Sequence, residues 1–291
     1  LEQQTLQPRE VIFVDSGSTD DSIRLAESAG WKVFPIDPGL FSFGRSLNYG
    51  CEAASGDIIV SISAHAYPLR RDYLEKMAEA IMSGPQISII YGRQLPGATN
   101  HLSEKVLMMQ WFPNKSILEQ GHAFANNANS CFRRDTWDIL RFNEELTGLE
   151  DIDFSRRILE RGGRVTYVHS AAIVHLHEES FFGVRARYRR EAAAFKSMFP
   201  GEKMGLVRAT ALATRNIAVD LRHVVREGGL LRRLWSVLAF RSSQFFGTWE
   251  GFRLARTTET ELSRRMFHPP RDVELDGPAE EGWEIDYLRV L

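Results

Sequence analysis

The chain has 291 residues, 43% of them apolar and 25% charged, a globular composition that excludes a disordered, collagenous or low-complexity protein and suits one large or two smaller domains. Its two cysteines, Cys51 and Cys131, exclude a disulfide framework and point to a reducing, cytoplasmic setting; no signal-peptide pattern opens the chain, and no apolar run reaches the about 18 residues of a membrane span. The net charge of -2 conceals a polarity: residues 184–256 hold fifteen basic and five acidic residues, whereas 257–291 hold four basic and nine acidic.

In chain order, Glu10 to Val14 is a short apolar run ending in Asp15-Ser-Gly, the pattern of a buried strand running into a loop. Ser18 and Asp21 have capping-box spacing, which predicts a helix running to Gly30. Trp31 to Ile36 reads as a second strand. Phe43 to Ser55 is predicted helical, with Leu47, Cys51 and Ala54 on one face and Gly56 as its stop. Asp57 to Ser63 is a third strand, Asp72 to Ser83 a helix after the loop containing Pro68, and Ile87 to Tyr91 a fourth strand. This alternation predicts an α/β fold with a mostly parallel sheet flanked by helices, whose ligands sit at the carboxyl ends of the strands. Residues 92–148 are less regular, with a helix expected over Arg134 to Leu140. An amphipathic helix carrying Ile152, Ser155, Ile158 and Leu159 follows, stopped by Gly162-Gly163, and then a strand, Arg164 to Val168. From Phe181 the pattern is helical, broken at Pro200-Gly201 and Gly228-Gly229. The expected division is a catalytic unit over 1–180, a basic helical region over 181–256 and an acidic tail over 257–291.

Four separated segments, VIFVDSGSTDDS, RSLNYGCEAASGDIIVSISAHAYP, FANNANSCFRRDTWDIL and GLEDIDFSRRILERGGRVTYV, occur in an order that resembles the inverting family 2 glycosyltransferases of the GT-A fold. Within that family they are most similar to the bacterial rhamnosyltransferase-like branch. The resemblance covers residues 1 to about 180. It implies transfer of a sugar, with inversion, from a nucleotide-diphosphate donor to a saccharide or lipid-linked saccharide hydroxyl in surface polysaccharide synthesis. Such a family normally begins with a further strand some twenty residues upstream of the one ending at Asp15, which is not present in this chain.

The resemblance assigns Asp15, with Ser16 beside it, to the nucleotide base or ribose; capping of the Ser16 to Ser18 turn is the competing role. Arg45 and Asn48 open the second helix, where a guanidinium pairs well with a diphosphate, or simply lies on a solvated face. At the end of the third strand the family carries an Asp-x-Asp motif for a divalent cation, and here the triplet is Ser63-Ala64-His65. His65 is therefore a candidate ligand for Mn²⁺ or Mg²⁺, joined by His175 and His177, which period-two spacing puts on one face of an extended segment. Imidazole suits softer ions than Mg²⁺. Direct contact of the histidines with the diphosphate, with no metal, and ordinary packing are the alternatives.

Glu150-Asp151 matches the motif that supplies the family's base, with Asp151 expected to accept the acceptor proton and Glu150 to bind the acceptor hydroxyl, the exchange of these two roles being the alternative. Three acids at a helix start, Asp153 included, are also an ordinary capping pattern. Asn127 and Asn129 are implied near the donor sugar, with Asx-turns as the competing role. Trp111 and Phe112 offer a stacking platform or core. A non-catalytic nucleotide-sugar or glycan-binding module on the same fold is the alternative function. A nucleotidyltransferase lacks support, since no glycine-rich phosphate loop with a lysine follows the first strand.

Met204 to Val225 and Leu230 to Phe246 are basic and amphipathic. Such helices lie in the headgroup plane of an anionic leaflet, pack on the catalytic unit or form a homodimer. The expected partners are thus the donor, a saccharide or polyprenyl-linked acceptor, a peripheral membrane surface or a second copy, and not nucleic acid.

Overall fold

A computed structural model describes residues 1–227 and 230–254, and the side chains of all of these except 224–227 and 230–232. The acidic tail over 257–291 therefore lies outside the described residues.

The first strand, β1 (Ile12–Asp15), pairs in parallel with β2 (Lys32–Pro35) across α1 (Ser22–Ser28). The Ser18–Asp21 capping box does not form: Asp21 caps α1 without a side-chain bond, and the Ser18 amide turns back to the Asp15 carboxylate. The nearer acceptor wins. Helix α2 (Phe43–Ala53) starts where Ser42 accepts from the Arg45 amide at 3.1 Å. A Cβ on Gly44 would stand 2.4 Å from the Asn143 carbonyl oxygen, so glycine lets this helix start press on the 142–144 loop.

The central sheet contains β3 (Ile58–Ile62), β4 (Ala66–Pro68), β5 (Ile87–Pro96), β6 (Asn129–Arg133) and β7 (Arg164–His175), in the order β3-β6-β5-β7-β4. The expected α/β architecture is present, but the sheet is less parallel than expected. Only β5–β7, besides β1–β2, runs parallel; β6 is antiparallel to β3 and β5, and β4 to β7. The cause is β6, a short strand inside the irregular 92–148 stretch that inserts between two strands of the opposite direction. Strand β5 outruns its predicted end at Tyr91, and β7 its end at Val168, so that β7 delivers His175 opposite Ala66 and Pro96. Gly92 marks the register shift between them, where a Cβ would lie 2.0 Å from the Ala171 carbonyl oxygen.

One sheet face carries Ile89, Tyr91, Phe132 and Tyr167 against Trp137 of α5 (Arg134–Leu140) and Phe154 and Ile158 of α6 (Glu150–Glu160). The other carries Ile87, Ile90, Cys131 and Ile173 against Tyr73, Met77 and Ile81 of α3 (Tyr73–Met82). Both cysteines are buried and free, and burial pushes the Cys51 thiol up to about 12. Helix α4 (Leu102–Trp111) escapes sequence reading because polar Ser103 and Glu104 are buried along with Val106, Leu107 and Met108, which erases its amphipathic period.

Three helices follow: α7 (Phe181–Met198), α8 (Leu206–Glu227) and α9 (Leu230–Leu254). They pack on the sheet domain and on one another. Phe240 of α9 meets Leu107, Val184 and Tyr188, and Arg241 forms a fully buried pair with Asp220 at 2.7 Å. Gly247 and Gly251 let α9 lie directly on the α7 backbone, where a Cβ would stand 2.3 Å from the Arg185 and 2.2 Å from the Arg189 carbonyl oxygen. Among the described residues no helix is long and apolar enough to cross a membrane.

Candidate active site

Helix α6 opens with Glu150 and Asp151, preceded by Leu149 in the left-handed region at φ 60°. Both carboxylates are buried, and one residue from the loop before β6 holds both. The Asn127 amide donates to Asp151 Oδ2 at 3.2 Å, and its side-chain nitrogen to Glu150 Oε1 at 3.3 Å. Ser130 fixes the Asn127 side chain by donating to its Oδ1 at 3.0 Å, and the Ile152 amide caps Asp151 Oδ1 at 2.8 Å. Burial raises the proton affinity of Glu150, while burial and the adjacent Glu150 raise that of Asp151 well above the ordinary range. Burial and like charge thus outweigh the helix N-terminus, which favours the anions. Asp153 is set apart from this pair: Arg156 and Arg157 bind it at 2.9 and 2.8 Å, and Arg157 also holds the Leu140 and Arg141 carbonyls.

The Ser63-Ala64-His65 loop lies beside this clamp. Ser61 Oγ donates to the Asn127 carbonyl at 2.7 Å and the Ser63 amide to the Ala128 carbonyl at 3.2 Å. From the other side, the Leu176 amide donates to the His65 carbonyl at 3.0 Å, which draws the end of β7 over the loop. The rings of His65, His175 and His177 gather there: centroids lie 4.7 Å apart for His65–His175, 5.5 Å for His65–His177 and 4.2 Å for His175–His177. His65 is exposed and touches Ser63 Oγ at 3.1 Å; His175 is buried. Desolvation and the neighbouring His177, His65 and Arg187 push His175 down to about 2, so its ring is neutral. Their ligand atoms all lie within 4.8 Å of one another. Three imidazoles this close, one neutral and two with a ring nitrogen facing the other, fit a divalent cation of the borderline class.

Helix α7 closes the site, a contribution that sequence reading assigned only to a basic segment. Arg187 binds Glu104 at 2.7 Å and Glu179 at 2.8 Å, while Glu104 accepts from His177 Nδ1 at 2.6 Å. Burial raises the proton affinity of Glu104, but His177 and Arg187 outweigh it and hold the carboxyl below the ordinary range. One turn on, Arg190 and Glu191 face the acid pair: the Arg190 charge favours Glu150 ionised, and the Glu191 charge opposes it at both acids. Thr147 Oγ donates to the Arg190 carbonyl at 3.1 Å and ties the loop before α6 to α7. The signal available in sequence was the i, i+3, i+4 spacing of Arg187, Arg190 and Glu191 on one helix face.

Several expected donor ligands are committed to the scaffold. Asn48 gives Nδ2 to the Phe142 carbonyl and Glu144, and its Oδ1 accepts from Trp137 Nε1 at 3.0 Å and the Phe142 amide at 2.9 Å. Arg45 pairs with Glu144 at 2.8 Å and donates to the Leu40 carbonyl. Asn129 is fully buried between the Tyr73 hydroxyl and the Arg93 and Ala171 carbonyls. Neither asparagine has a polar side-chain atom left for a donor sugar. A buried amide that locks a loop and one that binds a sugar have the same sequence signature. Of the aromatic pair, Phe112 is core and Trp111 is 44% exposed beside Phe124.

Residues 1–140 match the model of Glycosyl transferase family 2. The similarity to a glycosyl transferase family 2 domain thus covers just under half of the chain. The chain is 26% identical over 190 residues to the O-antigen chain rhamnosyltransferase RfbN of Salmonella typhimurium, covering 61% of this chain and 60% of that protein. It is 25% identical over 188 residues to the O-antigen chain rhamnosyltransferase WbaN of Salmonella anatum. The chain thus spans about 60% of the length of the relatives it matches. Among solved structures, a mannosyltransferase from Pyrobaculum calidifontis in complex with GDP-Man and Mn²⁺ superposes with a TM-score of 0.53 at 18% identity, over 87% of this chain and 79% of that one. This likeness is one of fold, GT-A, and the mixed sheet flanked by helices agrees with it.

The family 2 match ends before α6. It contains Asp15, Ser63, His65 and Asn127, whereas Glu150, Asp151, His175 and His177 lie beyond it and reach it only through the fold. Asp15 stands at the end of β1, buried, and accepts from the Gly17 amide at 2.9 Å and the Ser18 amide at 3.1 Å. These bonds outweigh burial and hold its carboxyl below the ordinary range. The Asp15 carboxylate caps the turn, in which Ser16 is half-buried. Gly17, at φ 101°, adopts a conformation that other residues rarely do.

Proposed function

We propose that the chain is an inverting glycosyltransferase that moves a sugar from a nucleotide-diphosphate donor to a hydroxyl of a saccharide or lipid-linked saccharide in bacterial surface polysaccharide synthesis. The observation that carries this reading is the Asn127 clamp, which fixes two buried acids beside the loop that ends the third strand. The family 2 match and the two rhamnosyltransferase relatives support it. Asp151, with its raised proton affinity, is the base that takes the proton of the acceptor hydroxyl as the hydroxyl oxygen attacks the anomeric carbon opposite the departing diphosphate. Glu150 accepts a hydrogen bond from the acceptor and orients it. Asp15 and Ser16, in the turn that the Asp15 carboxylate caps, are assigned to the nucleotide.

A divalent cation, Mn²⁺ or Mg²⁺, is assigned to His65, His175 and His177, where it would neutralise the diphosphate. The neighbour of the same fold solved with Mn²⁺ supports this. The protein's own part is to hold the imidazoles through Gln94 and Glu104. A polyprenyl-linked acceptor would approach over the basic helices, where Trp235 is 69% exposed on α9, with the protein peripheral on the inner face of the cell membrane. The deciding experiment incubates the full chain with a panel of nucleotide-diphosphate sugars and follows release of the nucleoside diphosphate. Release from one donor that is abolished by Asp151→Asn supports the proposal. No release from any donor, with or without a saccharide acceptor, makes the chain a binding module instead.

A further inference from the structure

At the centre of the histidine cluster two nitrogens face each other: Nε2 of His177 lies 3.2 Å from Nε2 of His175. Each ring is held from its far side by an oxygen, Gln94 Oε1 at 2.7 Å from His175 Nδ1 and Glu104 Oε1 at 2.6 Å from His177 Nδ1. The Glu104 carboxylate can only accept, so His177 Nδ1 keeps its ring proton and the lone pair is left on Nε2; with Gln94 Oε1 turned to it, His175 is the same tautomer, and with the otherwise unpartnered Gln94 Nε2 turned to it, His175 Nε2 donates to His177 instead. In the first arrangement two lone pairs face each other, which at this range takes a positive charge, a proton or a metal ion, between them. An outer oxygen that fixes the tautomer and aims the opposite nitrogen inward is the usual support of a metal-bound histidine. Two nitrogens each about 2.0–2.1 Å from one tetrahedral ion are about 3.3 Å apart.

A rival set of ligands stands alongside. Glu104, His177 and Glu179 also bring three ligand atoms together. Here the charge is already supplied: the Arg187 guanidinium binds Glu104 at 2.7 Å and Glu179 at 2.8 Å. Arg187 thereby neutralises both carboxylates, with Glu104 Oε2 left unpartnered, while the inward-facing Nε2 atoms of His175 and His177 lie on the far side of their rings from Gln94 and Glu104 and share the space with exposed His65.

The geometry points to a nitrogen-only cation site that takes borderline ions and rejects Mg²⁺. It rests on the reading of the histidine cluster as the cation site given above, and narrows it. Mg²⁺ demands near-octahedral oxygen ligands and sheds its water reluctantly, whereas imidazole suits Zn²⁺, Co²⁺ and the ions around them. The order of affinity is therefore Co²⁺ and Zn²⁺ above Mn²⁺, with Mg²⁺ far below. Glu104 and Gln94 are positioning residues of this site, acting through the rings they hold.

The test titrates the full chain with Co²⁺ alone, then with UDP added, and reads the visible absorption of the cobalt ion. The expected result is one Co²⁺ per chain, displaced by equimolar Zn²⁺ and retained against about a hundredfold excess of Mg²⁺. His65→Ala, at an exposed position that leaves the fold intact, and His177→Ala each alter the cobalt band, and Glu104→Gln weakens binding by about 10–100-fold. Displacement of Co²⁺ by a comparable concentration of Mg²⁺, a band unchanged by both histidine replacements, or no Co²⁺ bound with or without UDP would each overturn the inference. The transferase reading is tested separately, by donor turnover in EDTA. Turnover with no ion bound ends the metal site and keeps the enzyme; Co²⁺ bound on nitrogen with no turnover from any donor keeps the site and ends the enzyme.

Discussion

The backbone amide of Asn127 donates to Oδ2 of Asp151 over 3.2 Å, while its side chain reaches Glu150. The orientation of the base is thus set from two sides, by the loop before β6 and by the Ile152 amide of its own helix. Replacement of Asp151 by Asn keeps an oxygen for one of the two amides that bind it and removes the ability to take a proton. Transfer is expected to fall by about 10²–10⁴-fold, with donor affinity unchanged, since a general base contributes that much. Calorimetric titration of the donor beside initial rates checks this; wild-type turnover would refute the role.

The same substitution carries a stability prediction. A carboxyl whose folded-state proton affinity is raised contributes stability that is full below its ordinary value of 3.8 and is lost as pH rises through the raised one. At neutral pH the ionised Asp151 therefore costs stability. Asp151→Asn is expected to melt no lower than the parent at pH 7, and lower relative to it at pH 4.

The pH profile follows from the same coupling. A protonated base is inactive, so kcat/KM rises with pH along a limb above the ordinary carboxylate range, and the limb belongs to the Glu150–Asp151 pair. Glu150→Gln removes the like charge and moves the limb to lower pH. An unmoved limb would show that Glu150 does not tune the base.

Asn48 provides a test of scaffold against ligand. Its Oδ1 accepts from Trp137 Nε1 and the Phe142 amide, both buried, and Asn48→Ala leaves them unsatisfied at a cost of about 1–3 kcal/mol. Urea unfolding should show that loss while the KM for the donor stays unchanged. A raised KM with unaltered stability would return Asn48 to the donor site.

Arg241 and Asp220 are both fully buried, paired at 2.7 Å, with Gln244 on the same guanidinium. Arg241→Met strands the Asp220 charge and is expected to cost about 3–5 kcal/mol in denaturant unfolding, whereas replacing both by apolar residues recovers most of it. Equal losses for the single and double variants would mean that packing, not charge, dominates there.

Local chemistry was legible in the sequence. The strand ending at Asp15, the helix starting at Phe43, the acid pair at the start of α6 and the start of α7 at Phe181 all come from short-range patterns of polarity, which neighbouring residues fix. The direction of β6 and the existence of α4 were not legible, because a buried polar helix has no amphipathic period and strand polarity depends on which distant edge the strand joins. Asn127 and Asn129 show the limit within one motif: two residues apart, one clamps the acids and the other is sealed inside the sheet. By itself the sequence determined the kinds of group available, namely two adjacent carboxylates, three histidines and a helix rich in arginine. Only the tertiary structure decided that Arg187 is spent on Glu104 and Glu179, that His175 and His177 face each other, and that α7 stands over the acids. The physical reason is that these are long-range pairings between charged and polar groups, chosen by burial and by the need to satisfy every charge removed from water.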